Sequence, residues 1–277
     1  GGVGAQYTPA AGWAQALEYR HKVLGDEASA NAIAVVLGGD GSVATNGFWA
    51  ALVAATTQKL PLLFYIEDNG FGISVPSTFQ TPNGDIAANL RCFGGLKVLS
   101  GDGSEPLEAS RLIDEAMHHV RSRQGPCLLR LTVPRLQGHS FQDTQAYKSP
   151  KQVKAEWARD PLPKLKSYLV PTLMSETAWD ALETEAVETA EAARVEAEAR
   201  EYAEPSTVLR NVFHEAGTLQ KMGGQWTQGY VAPAASNVPN PKGPRLNMAT
   251  AIRRTLEHEL SLNKRVVLFG EDVGVKG

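Results

Sequence analysis

Two short turns hold the residues most suited to chemistry. Asp40 lies in Gly-Gly-Asp-Gly-Ser (38–42) and Asn69 in Asp-Asn-Gly-Phe-Gly (68–72), and 27 residues, Ser42 to Asp68, separate the first Gly-Asp-Gly from the asparagine. A carboxylate and an amide oxygen are hard ligands suited to Mg²⁺. That ion usually takes one or two protein carboxylates and completes its octahedron with water and phosphate oxygens. Glycines beside Asp40 let backbone N–H groups approach those oxygens, and a helix starting just after them points its positive end the same way. The pattern indicates a diphosphate–Mg²⁺ clamp. It is not a nucleotide P-loop, because no Lys follows the glycines, and it is not G-x-G-x-x-G.

The surrounding elements place both turns on one edge. Ile33 to Leu37 is an unbroken apolar run, expected as a strand buried on both faces. Phe48, Ala51, Leu52 and Ala55 recur with helical spacing, and Leu62 to Ile66 is a second buried strand. Strand, helix and parallel strand form a right-handed crossover whose two turns leave the carboxyl ends, where open parallel sheets bind ligands. Gly101, Asp102 and Gly103 repeat the first turn. Leu131 and Thr132 fall at the matching downstream distance, so this copy is expected to be a helix start.

The paired turns, with Gly-Phe-Trp-Ala-Ala-Leu-Val-Ala-Ala (47–55) and Asp-Asn-Gly-Phe-Gly-Ile-Ser (68–74), resemble the thiamine diphosphate signature of 2-oxo acid dehydrogenases. The likeness is to the alpha subunit of the branched-chain and pyruvate type. It implies thiamine diphosphate and Mg²⁺ as cofactors and oxidative decarboxylation of a 2-oxo acid, with the acyl unit passed to a lipoyl-bearing acyltransferase. By the same resemblance Asp40 and Asn69 hold the metal through side chains and Phe71 through its carbonyl. Gly41 and Ser42 offer N–H groups to the diphosphate, and Ile73 presses the cofactor into a bent form. Gly-His-Ser-Phe-Gln-Asp-Thr-Gln-Ala-Tyr-Lys (138–148) matches the family's loop over the cofactor. His139, matching a histidine beside the diphosphate and substrate, is the catalytic candidate and a cofactor-binding one, Asp143 and Tyr147 match other loop positions, and Lys148 stands where Arg is usual. Ser140 aligns with a serine that mitochondrial relatives regulate by phosphorylation. Gly2 to Gln6 matches a pocket-lining loop, with Val3 near the aminopyrimidine ring.

Three further positions depart from that pattern. Gly47 and Ala50 stand where pyruvate-type relatives carry acidic residues; the alanine is closer to the branched-chain type, which tilts the substrate weakly towards branched-chain 2-oxo acids. Glu67 stands where branched-chain relatives have an arginine near the diphosphate, and an anion there opposes phosphate binding unless it points away.

Elsewhere Ala10, Trp13, Ala14 and Leu17 mark a first helix, and Leu96 to Leu99 and Cys127 to Val133 further strands. Ala109, Leu112, Ile113, Ala116 and Val120 mark a helix between those strands, on which His118 and His119 are expected to be surface and packing residues. Ser175 to Ala203 reads as a solvated Ala- and Glu-rich helix with a thin apolar stripe. Residues 222–245, rich in Gly, Pro and Asn, read as a linker. Met248, Ile252, Leu256 and Leu260 then give a helix and Arg265 to Phe269 a buried strand, resembling the opening of the family's beta subunit, with Glu271 lining a passage between cofactor sites. The expected fold is therefore α/β: a thiamine diphosphate-binding domain (1–150) with a parallel sheet and helices on both faces, closing helices (151–215), a linker (216–245) and the start of a beta-like domain (246–277).

The 277 residues are 43% hydrophobic, enough for one full core, and carry a net charge of −3 with mixed signs, so no basic footprint for nucleic acid is present. No apolar run approaches a membrane span. Two cysteines, Cys92 and Cys127, lack metal spacing and are expected to be buried thiols in a reducing compartment, taken as the cytoplasm. The first residue is Gly, and the chain reads as truncated at both ends, a piece of a fused alpha–beta polypeptide inactive by itself. A homodimer or heterotetramer-like assembly with a beta-like domain or subunit is implied. A transketolase-like enzyme and a non-catalytic assembly module retaining the fold are the alternatives.

Overall fold

A computed structural model describes residues 2–210, 243, 245–270 and 273. Two compact units, Gly1–Val187 and Glu188–Gly277, divide the chain within a long helix.

In the first unit, helix α1 (Tyr7–Lys22) precedes strand β1 (Ala34–Gly39), helix α2 (Asn46–Gln58) and strand β2 (Leu62–Asp68). Two short strands, β3 (Phe71–Gly72) and β4 (Val75–Pro76), pair as a hairpin. Helix α3 (Ile86–Leu90), strand β5 (Lys97–Asp102), helix α4 (Pro106–Arg121) and strand β6 (Cys127–Thr132) follow, then helices α5 (Pro150–Trp157) and α6 (Pro161–Leu169). The main sheet runs β1-β2-β6-β5 with every pairing parallel. The α/β class with helices on both sheet faces therefore stands.

Side-chain alternation along each strand builds two cores. Leu62, Phe64 and Ile66 of β2, Val36 of β1 and Leu128 of β6 pack against Tyr7, Ala11 and Ala14 of α1, Phe48, Leu52 and Ala55 of α2, and Ile86 and Leu90 of α3. On the other face Leu63, Cys127, Leu129 and Leu131 meet Leu112, Ala116 and Val120 of α4. Each fully buried Leu or Phe contributes roughly 2–3 kcal/mol. Helix α2 stops because Lys59 adopts a left-handed φ of 52°, and the Leu60 N–H returns to the Ala55 carbonyl at 2.9 Å before Pro61. His118 is exposed and His119 half-buried, as expected of surface and packing residues.

Several expectations are corrected. β1 is buried on one face only: Val35 and Leu37 are 49% and 65% exposed. The strand lies at the sheet edge, and α4 packs over β2, β5 and β6. Trp13 is 68% exposed, because the buried face of α1 is Tyr7, Ala11, Ala14 and Glu18. Cys127 is buried, which pushes its thiol up to about 12, but Cys92 is exposed in the turn after α3.

Helix α7 (Glu176–Ala199) begins in the first unit, where Trp179 is buried under the Lys166 ammonium. Its later turns carry Arg194 between Glu191 and Glu198, and Leu182, Val187 and Val195 are exposed, as a solvated helix requires. In the second unit helix α8 (Met248–Leu262) starts at Asn247, whose side chain accepts from the Thr250 N–H. Arg265 to Phe269 forms no strand, and Val267, Leu268 and Phe269 are exposed. A strand needs a neighbour for its ladder, and none of the described residues of that unit supplies one. Residues 211–215 of the expected closing helices, 216–242 and 244 of the expected linker, and Glu271 lie outside the described residues.

Candidate active site

Parallel pairing sets Gly39 opposite Glu67, so the Asp40 and Asn69 turns leave neighbouring strand ends together. They approach closely: a Cβ added at Gly41 would stand 3.2 Å from the Gly72 Cα. Asp40 is 4% exposed, and its Oδ2 has no hydrogen-bond partner among the described residues. Burial, and secondly the Asp68 carboxylate, push its pKa up to about 6. Backbone N–H groups of Asp40 and Asn69 and the Arg135 charge pull the other way without cancelling the rise.

Asp68 is already engaged. Its Oδ2 lies 2.6 Å from Arg130 Nε and its Oδ1 accepts from the Gly70 N–H at 2.9 Å. Asn69 Oδ1 accepts from the Phe71 N–H at 3.0 Å, and an amide oxygen retains a second lone pair. Glu67 is exposed and, by strand alternation, faces away from Asp68. Gly47 has no room for a side chain, since a Cβ would meet the Gly4 carbonyl oxygen at 2.6 Å. That contact gives a physical reason for the missing acidic residue there.

After Phe71 the chain turns at Ile73 with φ 56°, a left-handed conformation costly for a β-branched residue. Two donors hold its carbonyl: the Arg135 guanidinium and the Tyr147 hydroxyl, the latter at 3.3 Å. Arg135 also reaches the Asp143 carboxylate, at 3.4 Å, and the single Tyr147 proton is shared between the two acceptors, with its oxygen 3.0 Å from Asp143; that carboxylate further accepts from the His139 N–H at 2.7 Å and the Gln145 N–H at 2.9 Å. The His139 and Gln145 N–H groups chiefly hold its pKa below the ordinary carboxylate value. Lys148 is fully buried as a side chain. It donates to Glu156 at 2.6 Å and to the Arg135 carbonyl at 3.3 Å, and its ammonium stands 4.9 Å from the Phe71 ring centre. The loop bearing His139 is thereby tied to the turn bearing Phe71 and Ile73. The His139 side chain and Ser140 are exposed, as is Val3 in the amino-terminal loop.

The second Gly-Asp-Gly differs. Asp102 Oδ1 lies 2.8 Å from Arg159 and accepts from the Ser104 N–H at 2.9 Å. Burial raises its pKa, but these bonds outweigh that effect and the pKa is lowered.

Among the described residues no three His, Cys, Asp or Glu side chains cluster to hold a metal. One unpartnered buried carboxylate oxygen, one amide oxygen and nearby backbone carbonyls still fit a hard cation that brings its own water and phosphate ligands. Sequence reasoning missed Tyr7, Arg130, Arg135 and Glu156. Arg135, three residues before Gly138, carried a positional hint; the others had none.

The geometry defines an α/β fold with an open carboxylate at the carboxyl edge of a parallel sheet. The family described as "Dehydrogenase E1 component" matches residues 1–206, and the chain belongs to it. It is 30% identical over 218 residues to the pyruvate dehydrogenase E1 component subunit alpha-3, chloroplastic, of Oryza sativa subsp. japonica, covering 77% of this chain and 50% of that one. It is 31% identical over 172 residues to the pyruvate dehydrogenase E1 component subunit alpha of Staphylococcus aureus, covering 60% and 43%. The chain thus spans about half the length of these curated relatives. A transketolase structure from Campylobacter jejuni overlaps 58% of this chain and 26% of that one, at TM-score 0.43 and 20% identity, too remote to bear on function.

Proposed function

We propose that the protein of which this chain is part carries out thiamine diphosphate- and Mg²⁺-dependent oxidative decarboxylation of a 2-oxo acid. The acyl unit goes to a lipoyl group on an acyltransferase partner, and a beta-like domain or subunit completes the site. The observation that carries this reading is the buried, unpartnered Oδ2 of Asp40 beside the Asn69 turn. Family membership supports the cofactor assignment. Bound thiamine diphosphate supplies the electron sink for loss of CO₂, so the protein's part is positioning and electrostatics.

Asp40, Asn69 and the Phe71 carbonyl would hold Mg²⁺. Gly41 and Ser42, before the positive end of α2, would meet the diphosphate. Ile73 would brace the cofactor's bent form. His139 would steady negative charge developing at the substrate, an effect worth a few kcal/mol once water is excluded. Pyruvate is the first substrate to test, because the relatives' names carry it. The crowding at Gly47 accounts for one of the two missing acidic residues without a change of substrate, so the branched-chain tilt then rests on Ala50 alone.

The test uses the full-length protein with any partner subunit, pyruvate and branched-chain 2-oxo acids, and an artificial electron acceptor. Product should form only when thiamine diphosphate and Mg²⁺ are both supplied. Failure to bind either cofactor, or turnover without them, would remove the reading.

A further inference from the structure

We propose that Tyr7 is a positioning residue for the Asp40 turn, acting through the Ser42 hydroxyl; this rests on the reading of that turn as the metal and diphosphate cradle. Tyr7 is fully buried, edge-on to Phe48 with ring centres 5.2 Å apart and stacked near Phe64 at 6.2 Å, so its ring has one available place. Its hydroxyl lies 2.6 Å from Ser42 Oγ, a bond closed across 35 residues between α1 and the turn after β1.

Ser42 Oγ makes two further contacts. It donates to the Gly39 carbonyl at 2.7 Å and accepts from the Gly39 N–H at 3.1 Å. A serine hydroxyl has one proton and two lone pairs. With the proton on the Gly39 carbonyl and one lone pair taken by the Gly39 N–H, Tyr7 must be the donor in the remaining bond. Ser42 is then saturated, and its oxygen grips both peptide groups of Gly39. The second of those peptides ends at the Asp40 nitrogen. Its orientation therefore sets where the Asp40 carboxylate starts.

Gly38 shows how tightly this is built. A Cβ there would lie 2.0 Å from the Tyr7 hydroxyl oxygen and 2.6 Å from Ser42 Oγ. The space beside the turn is given over to the two hydroxyls. A phenylalanine at position 7 would fill the core equally well, so the tyrosine oxygen serves the turn and not the packing. Removing it leaves a buried Ser42 lone pair without its donor and weakens, through lost cooperativity, the two bonds by which Ser42 holds Gly39.

The experiment is calorimetric titration of Mg²⁺ into the full-length protein in the presence of thiamine diphosphate, paired with steady-state turnover. Tyr7→Phe should weaken Mg²⁺ binding about tenfold while turnover at saturating Mg²⁺ and cofactor stays within about twofold. Ser42→Ala should weaken binding at least as much, and adding Tyr7→Phe to it should change nothing further. An equal loss from Tyr7→Phe in both backgrounds would overturn the proposal, since the tyrosine would then act through packing. If Tyr7→Phe does not fold, unchanged Mg²⁺ affinity in Ser42→Ala overturns it. Asp40→Ala separates the two levels. If it abolishes binding while Tyr7→Phe has no effect, the cradle stands and the role of Tyr7 falls. If the wild-type protein takes up no Mg²⁺ with thiamine diphosphate, both fall.

Discussion

Arg159 lies 2.8 Å from Asp102 Oδ1 and neutralises the aspartate of the second Gly-Asp-Gly turn, while Oδ2 of Asp40 in the first has no partner among the described residues. Both turns read Gly-Asp-Gly-Ser and both leave the carboxyl end of a parallel strand. An arginine arriving from beyond α5 makes one of them a structural joint. Asp40→Ala should therefore abolish Mg²⁺-dependent thiamine diphosphate binding, whereas Asp102→Ala should leave it intact. The Asp102 change should cost under about 1 kcal/mol of stability, because its ion pair is substantially exposed. Equal losses of cofactor binding in the two variants would undo the distinction.

Asp40 also gives the metal-free protein a particular pH dependence. Its pKa rises from 3.8 to about 6 through burial and the Asp68 charge, so the folded state keeps a proton that the unfolded state releases. The associated stability is fully present below pH 4 and is lost as pH rises through 6, a difference of about 3 kcal/mol at most. Asp40→Asn lacks this term. Urea unfolding from pH 4 to 7 should show the wild type falling relative to the variant across that window. Mg²⁺ should offset the loss above pH 6. Parallel curves would contradict the protonation assigned to Asp40.

Lys148 and Glu156 offer a test of stability alone. The ammonium is fully buried and the carboxylate mostly so, at 2.6 Å. Removal of either partner strands the other charge, so Lys148→Met or Glu156→Gln should each cost about 3 kcal/mol. The double variant should be less damaged than the sum of the singles. Additive losses in chemical denaturation would mean that the pair is not coupled.

For His139 the expectation concerns rate. The side chain is exposed and makes no contribution to the core, while its loop is tied to the Ile73 carbonyl by Arg135 and Tyr147. In the complete enzyme His139→Ala should lower turnover far more than cofactor affinity. If activity stays within about threefold of wild type, a loss under 1 kcal/mol, the histidine has no part in the reaction.

Sequence alone determined the α/β class, the crossover that carries Asp40 and Asn69 to one edge, and α4 with its buried stripe. Those features rest on local periodicity: apolar runs for strands buried in a sheet, and 3.6-residue spacing for helices packed on it. The same periodicity misjudged Trp13 and the outer face of β1, because burial depends on which elements lie opposite, and a strand at a sheet edge reads like one at its centre. Tertiary structure decided which aspartate keeps an unpartnered oxygen, which tyrosine bonds Ser42 in its turn and which arginine holds Ile73. Those contacts join residues 57, 35 and 62 positions apart, respectively, for Arg159 with Asp102, Tyr7 with Ser42 and Arg135 with Ile73. No local pattern encodes such partners. They follow from the order β1-β2-β6-β5, which brings distant loops to one edge and lets geometry choose the charges and hydroxyls that meet there.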